Sequence, residues 1–193
     1  MTPPLIYLAS ISPRRRELLD QLGVHHQQVK VAVDESLRPE ESAEQYVLRL
    51  AQAKADAGRE MMGNQLRRPV LGADTAVVVG HQILGKPADR EEGIEMLLRL
   101  AGRCHRVLTG VALVDGGSEA RLSESIVQFR PIQQQEAQAY WQSGEPADKA
   151  GAYAIQGRGG VFVENIAGSY SGVVGLPVYE TMALLREAGI SVL

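Results

Sequence analysis

The sequence predicts a mixed α/β domain with a largely antiparallel sheet and flanking helices. Three observations carry this. Short apolar or β-branched runs are interleaved with longer stretches of helical period. Two strand pairs, at 70–84 and 105–129, are joined by tight turn signals rather than by helices, so strict βαβ alternation fails. Finally, 193 residues at 45% hydrophobic content suffice to bury the core of one domain.

The balance of charge removes some functions. A formal net charge of −3 and a pI near 5.8 argue against a general binder of nucleic acid or of membrane surfaces. Basic residues nevertheless bunch, as Arg14-Arg15-Arg16 and Arg67-Arg68. Cys104 is the only cysteine, which excludes an intrachain disulfide and a cysteine-built metal site. The apolar run 5–9 is too short for a signal peptide or a spanning helix. A soluble, cytoplasmic protein with neither nucleic-acid nor membrane partner is expected.

The elements follow in order. Residues 5–9 form a short apolar strand that breaks at Ser10-Ile11-Ser12-Pro13. Ser12 suits an N-cap, Pro13 the first helical position and Gly23 the end, with Leu18, Leu19 and Leu22 as the apolar face. Arginines in a first helical turn oppose the helix dipole. Three of them behind a serine-rich loop suit a bound phosphate, held by N–H groups and guanidinium forks together; a solvated basic turn is the alternative. Residues 29–33 read as a second strand, followed by Asp34-Glu35 in a loop that Pro39 continues. Residues 42 to about 60 read as a helix. Ser42 caps it, Gln45 completes a capping box, and Tyr46, Val47, Leu50, Ala51, Ala53 and Ala57 form its stripe. Lys54 falls at the edge of that stripe, where an ammonium either snorkels to water or meets a fixed negative charge.

Next comes VLGADTAVVVGHQILGKP, residues 70–87, a hairpin turning at Gly80-His81. A two-residue loop sets Val79 opposite Gln82 and, counting back, Thr75 opposite Lys86, with Asp74 beside Lys86 at the open end. A strand-end ion pair and one wall of a functional site are both consistent with that placement. Asp89 then caps a helix with Glu92 completing a box, and Ile94, Met96, Leu97, Leu98 and Ala101 line its buried side up to Gly102. Residues 105–114 and 120–129 form a second hairpin about Asp115-Gly116-Gly117, and 133–142 form a helix. From Gly151 the chain is glycine-rich and matches neither the P-loop nor the dinucleotide fingerprint. Residues 177–187 form the last helix, with Val178, Met182 and Leu185 toward the core.

Three segments together are specific: LASISPRRRELL, GADTAVVVGHQILGKP and AGAYAIQGRGGVFVENIAGSYSGVVGLP. They resemble, in order and over nearly the whole chain, the signature segments of the Maf family of nucleoside triphosphate pyrophosphatases. GADT and YAIQG resemble its dTTP/UTP pyrophosphatase branch. The resemblance implies one two-lobed domain over 1–193, like the ITP/XTP pyrophosphatases, with a cleft between lobes. It implies hydrolysis of dTTP and UTP, or of modified pyrimidine triphosphates, to the monophosphate and pyrophosphate with a divalent cation, Mg²⁺ or Mn²⁺. Residue by residue, Asp74 takes the place of the family's proton acceptor, and Arg14, Thr75 and Gln156 fall at positions linked with substrate choice. Ser10, Arg15, Glu35, Lys54 and Lys86 match the remaining polar positions. Asp74 with Glu35 suffices as a carboxylate set for Mg²⁺, which leaves Asp74 as base or as ligand. The family also implies a homodimer as one assembly, for which no interface is legible. Its link with septum formation supplies the alternative, a non-catalytic nucleotide-binding regulator of cell division.

Overall fold

A computed structural model describes residues 5–63 and 68–192; Arg67 of the second basic pair lies outside the described residues. Seven strands and six α-helices are found among them. They are β1 (Ile6–Leu8), α1 (Pro13–Gln21), β2 (His26–Gln28), α2 (Ala43–Met62), β3 (Val70–Val79), β4 (Gln82–Leu84), α3 (Arg90–Leu100), β5 (Cys104–Val114), β6 (Ser118–Phe129), α4 (Gln134–Gln142), β7 (Val163–Ala167), α5 (Tyr170–Val174) and α6 (Val178–Glu187). The strand order is β2-β1-β3-β5-β6-β7, with β4 on β3. Pairing is parallel for β1 with β2 and β3, and antiparallel for β3–β4 and β6–β7, so the sheet is mixed; taken whole, it is mostly antiparallel.

The chain divides into two compact units. The first holds the described residues up to Asp74, Thr109–Ser123 and those from Gly175 on. Here both faces of the strands are covered, which explains their nearly continuous apolar runs. Along β3, Leu71 and Ala73 join Ile6 and Leu8 of β1 in one core with Leu19 of α1 and Leu184 and Leu185 of α6. Val70 and Gly72 point the other way, toward α2. A Cβ at Gly72 would lie 2.2 Å from the Ala51 carbonyl oxygen, and one at Gly110 would lie 2.4 Å from that of Val47. Glycine at these two positions therefore lets α2 rest backbone against backbone on the sheet.

Local signals in this unit hold with some displacement. The Ser42–Gln45 capping box is present. The buried stripe of α2 is Val47, Leu50, Ala51, Ala55 and Gly58 rather than Ala53 and Ala57, which places Lys54 within the stripe rather than at its edge. Pro13 opens α1 and Ser12 stands at its N-cap, yet the Ser12 side chain makes no capping bond. The second strand is His26–Gln28, not 29–33. β1 turns away at Ser10, whose N–H goes to the Leu8 carbonyl, so a longer β2 finds no backbone to pair with beyond the Val29 N–H bond to Leu8 O. In α6 the buried residues are Thr181, Leu184 and Leu185; Val178 and Met182 are only partly covered.

The second unit holds Thr75–Leu108 and Glu124–Val174. Its hairpin has the two-residue loop, with Val79↔Gln82, Val78↔Ile83 and Val77↔Leu84 in register. Asp89 caps α3 by accepting from the Glu92 N–H at 2.9 Å, while the Glu92 carboxylate takes the Ala88 N–H rather than that of the cap residue. Gly93 and Leu100 belong to the buried face of α3, and Leu98 is exposed. His105, Phe129 and Tyr153 pack edge to face, with ring centroids 4.7–5.4 Å apart.

Candidate active site

In the first unit, a polar cluster gathers just past the C-terminal end of the parallel β1–β3 ladder, which runs Tyr7↔Val70 and Leu8↔Leu71. Open α/β sheets bind ligands at that edge, where loops rather than backbone ladders face the solvent. Asp74 shares the β3 face of Gly72, because strand side chains alternate, and so turns toward α2. Lys54 meets it. The ammonium lies 2.7 Å from Asp74 Oδ1 and 2.6 Å from Glu35 Oε1. Lys54 and Asp74 are nearly covered, while half of the Glu35 side chain remains exposed.

Glu35 sits in the loop between β2 and α2, and the helix holds that loop in place. Tyr46 donates its hydroxyl to the Glu35 carbonyl at 3.0 Å. Arg49 forks onto both oxygens of Glu41 at 2.6 and 2.7 Å and also reaches the Ser36 carbonyl. This bidentate pair holds the Glu41 carboxyl down to about 2. Tyr46, Leu50 and Lys54 are four residues apart, so one helix face delivers a hydroxyl to the Glu35 backbone and an ammonium to its side chain. Burial raises the Tyr46 pKa, and the charges of Asp74 and Glu35 add to that. Tyr46, Arg49 and Glu41 were not among the sequence-derived site residues; the four-residue spacing from Lys54 is the signal that could have found Tyr46.

The Ser10–Ser12 loop and α1 contribute the guanidiniums. Arg15 donates from Nε to the Gly175 carbonyl at 2.7 Å and from Nη1 to Ser10 Oγ at 3.3 Å. Burial lowers its pKa, the Asp74 charge opposes this, and the neighbouring Arg14 lowers it further. The loop was expected to offer N–H groups to a ligand. Instead the Ser12 N–H goes to Ser10 Oγ and the Ser10 N–H to Leu8 O, because a tight turn must satisfy its own donors. Gln28, on β2, braces this loop by donating to the Ser10 carbonyl at 2.9 Å.

The remaining residues expected at the site belong to the second unit. Thr75 is half-buried on β3, and the pleat turns it away from Asp74. Lys86 is exposed beyond the end of β4 and lines a cavity of about 200 Å³ with Glu92, Glu95 and Arg99. Gln156 is exposed at a turn. The expected pairing of Thr75 with Lys86 lies beyond the paired part of the hairpin. The hairpin ladder stops at Val77↔Leu84, and the ammonium that meets Asp74 comes from a helix.

Among the described residues, no group of three or more His, Cys, Asp and Glu could enclose a metal ion. The two carboxylates converging on Lys54 nevertheless fit Mg²⁺ or Mn²⁺ when the other ligands are water and substrate oxygens. Also among the described residues, no helix is long and apolar enough to cross a membrane.

The fold and site define a mixed α/β protein with two carboxylates, an ammonium and the Arg15 guanidinium gathered at a strand edge. A family model described as Maf-like protein matches residues 5–188, and the chain belongs to the Maf family. The dTTP/UTP pyrophosphatase of Alkalilimnicola ehrlichii is 56% identical over 187 residues, covering 95% of this chain and 93% of that protein. That of Hahella chejuensis is 53% identical over 188 residues, covering 97% and 94%. The solved structure of the Staphylococcus aureus Ham1 protein matches at a TM-score of 0.44 with 15% identity, covering 64% of this chain and 71% of that one. A likeness at that level adds nothing to the family assignment.

Proposed function

We propose that this chain is a nucleoside triphosphate pyrophosphatase that hydrolyses dTTP and UTP between the α and β phosphates, releasing the monophosphate and pyrophosphate. The observation that carries it is the Lys54 ammonium bonded at once to Asp74 and Glu35 beside the Arg15 guanidinium of α1. Relatives at more than half identity are named for this activity, and nothing among them supports the non-catalytic regulator. The whole chain acts as one two-lobed nucleotide pyrophosphatase domain.

A triphosphate carries close to four negative charges, so catalysis is mostly positioning and charge neutralisation. Arg14, Arg15, Lys54 and Lys86 supply the cations, and Ser10 holds Arg15 in orientation. Asp74 Oδ1 is taken by Lys54, which leaves Oδ2 to orient a water molecule and receive its proton. The water oxygen bonds to the α-phosphorus, the α–β bridging P–O bond breaks, and its electron pair leaves with pyrophosphate. In the alternative role, Asp74 together with Glu35 would hold the divalent cation, whose contribution when bound would be to neutralise charge on the phosphate oxygens. Thr75 and Gln156 serve substrate choice. The Gln156 amide donates and accepts at once, which suits the O4/N3 edge of uracil and thymine. Acceptance of both UTP and dTTP follows if the 2′-hydroxyl and C5 are weakly held.

The test is a panel of triphosphates with Mg²⁺, resolving monophosphate and pyrophosphate. UTP and dTTP are expected to turn over well above ATP and GTP. A flat profile refutes the substrate assignment, and release of orthophosphate alone refutes the cleavage site.

A further inference from the structure

The turn that presents Gln156 is built on one carboxylate. Glu145, just after α4, accepts the Gly159 N–H at 3.0 Å and the Tyr140 hydroxyl at 2.5 Å on Oε1, and the Arg158 N–H at 3.0 Å on Oε2. The Tyr140 oxygen in turn accepts the Ala154 N–H at 3.1 Å, so two side chains grip the turn on both sides of Gln156. The grip leaves no room for a side chain beneath it. A Cβ at Gly157 would lie 2.2 Å from Glu145 Oε2, and one at Gly159 would lie 2.6 Å from the Tyr140 hydroxyl. The turn closes on itself through Gly157 N–H to Ala154 O and Gly160 N–H to Gly157 O. Gln156 is exposed at its apex, flanked by buried Ile155 and by the gripped backbone. Tyr140 is fixed from behind by an edge-to-face contact with Phe162 at 5.2 Å.

A side chain that discriminates bases through one amide must be held in place, because a loose amide hydrogen-bonds to any base edge that reaches it. Charge-assisted bonds from one carboxylate to two successive N–H groups supply that rigidity. We propose that Glu145, with Tyr140, is the specificity-positioning residue of this enzyme: its carboxylate sets the backbone of 157–159 and thereby the stance of Gln156 toward the pyrimidine base. The inference rests on the function proposed above and adds a residue that touches neither phosphate nor base.

The test compares the ratio of kcat/KM for UTP to that for ATP in the wild type, Glu145→Gln, Gln156→Ala and the double variant. E145Q and Q156A are each expected to lower the ratio about tenfold or more, with most of the change in KM. Since both act through one amide, the double variant should match Q156A within about threefold rather than lose the product of the two effects. Equal losses on UTP and ATP in E145Q, with the ratio unmoved, would mean a merely structural carboxylate and overturn the proposal; so would multiplicative losses in the double variant. Tyr140→Phe carries the same comparison if E145Q does not fold, since it removes the hydroxyl that bonds Glu145 and takes the Ala154 N–H while leaving the two backbone N–H bonds to Glu145. Inactivity of the wild type on every triphosphate defeats the proposed function itself, and this inference with it. Activity with an unmoved ratio defeats this inference alone.

Discussion

Replacing Lys54 by methionine tests the site and the fold together. Methionine keeps an unbranched side chain of similar length on α2 while removing the charge. Its loss strands Asp74, of which 12% is exposed, and Glu35, of which 50% is exposed, as two carboxylates that converged on one ammonium. Orphaning one partner of a fully buried ion pair costs about 3–5 kcal/mol, whereas an exposed pair contributes about 0–1 kcal/mol. The covered Asp74 falls near the first case, and the half-exposed Glu35 is screened toward the second. Together they place Lys54→Met at about 2–3 kcal/mol of lost stability, or about 4–12 °C in Tm for a chain of this size. Urea unfolding at neutral pH measures it, with the slope expected to stay unchanged. Because the cost is an orphaned charge, adding Asp74→Asn to Lys54→Met should recover about 1 kcal/mol or more. A Lys54→Met variant as stable as the wild type, or a double variant less stable than Lys54→Met, would falsify the buried-pair account.

Asp74→Asn alone is expected to abolish turnover while keeping nucleotide affinity within about an order of magnitude, read by calorimetry; wild-type-like activity would remove Asp74 from the mechanism. Gly72→Ala should cost about 3 kcal/mol or more and depress turnover with it, since the new methyl meets the Ala51 carbonyl and drives the Lys54 helix off Asp74. Unfolding and activity measured on that variant must fall together. His105 is buried, with Nε2 2.8 Å from the Tyr153 hydroxyl, and burial pushes it from 6.5 down to about 4. The folded chain thus keeps the ring neutral where the unfolded chain already binds a proton. The stabilisation from the neutral ring is full above pH 6.5, is lost as the pH falls toward 4, and is flat below. Against His105→Gln, the wild type should lose about 3 kcal/mol across that window, and parallel stability curves for the two would disprove it.

The hairpin register at Val79↔Gln82, the Ser42 capping box and the glycine stop at Gly102 were legible in the sequence, because each is settled by neighbours within a few residues. The second strand was misread because apolar character at 29–33 outweighed the polar His26–Gln28, and an edge strand needs only a backbone partner. Asp74, Glu35 and Lys54, which the structure brings together, stood out in the sequence by residue type. The contact between Asp74 and Lys54 was not legible: counting along the ribbon reaches only Lys86, whereas Lys54 comes from a helix twenty residues away in sequence.

By itself, the sequence determined the family through its three signature segments, and local spacing decided most of the helices and both hairpins; β7 and α5, in the glycine-rich stretch, and the place of β2 were not legible there. Only the tertiary structure decided that Lys54 joins Asp74 to Glu35, that Tyr46 and Arg49 hold the Glu35 loop, and that Glu145 grips the Gln156 turn. Each of those depends on how closely two backbones approach. The absent side chains of Gly72 and Gly110 set that approach for α2, and those of Gly157 and Gly159 set it for the turn.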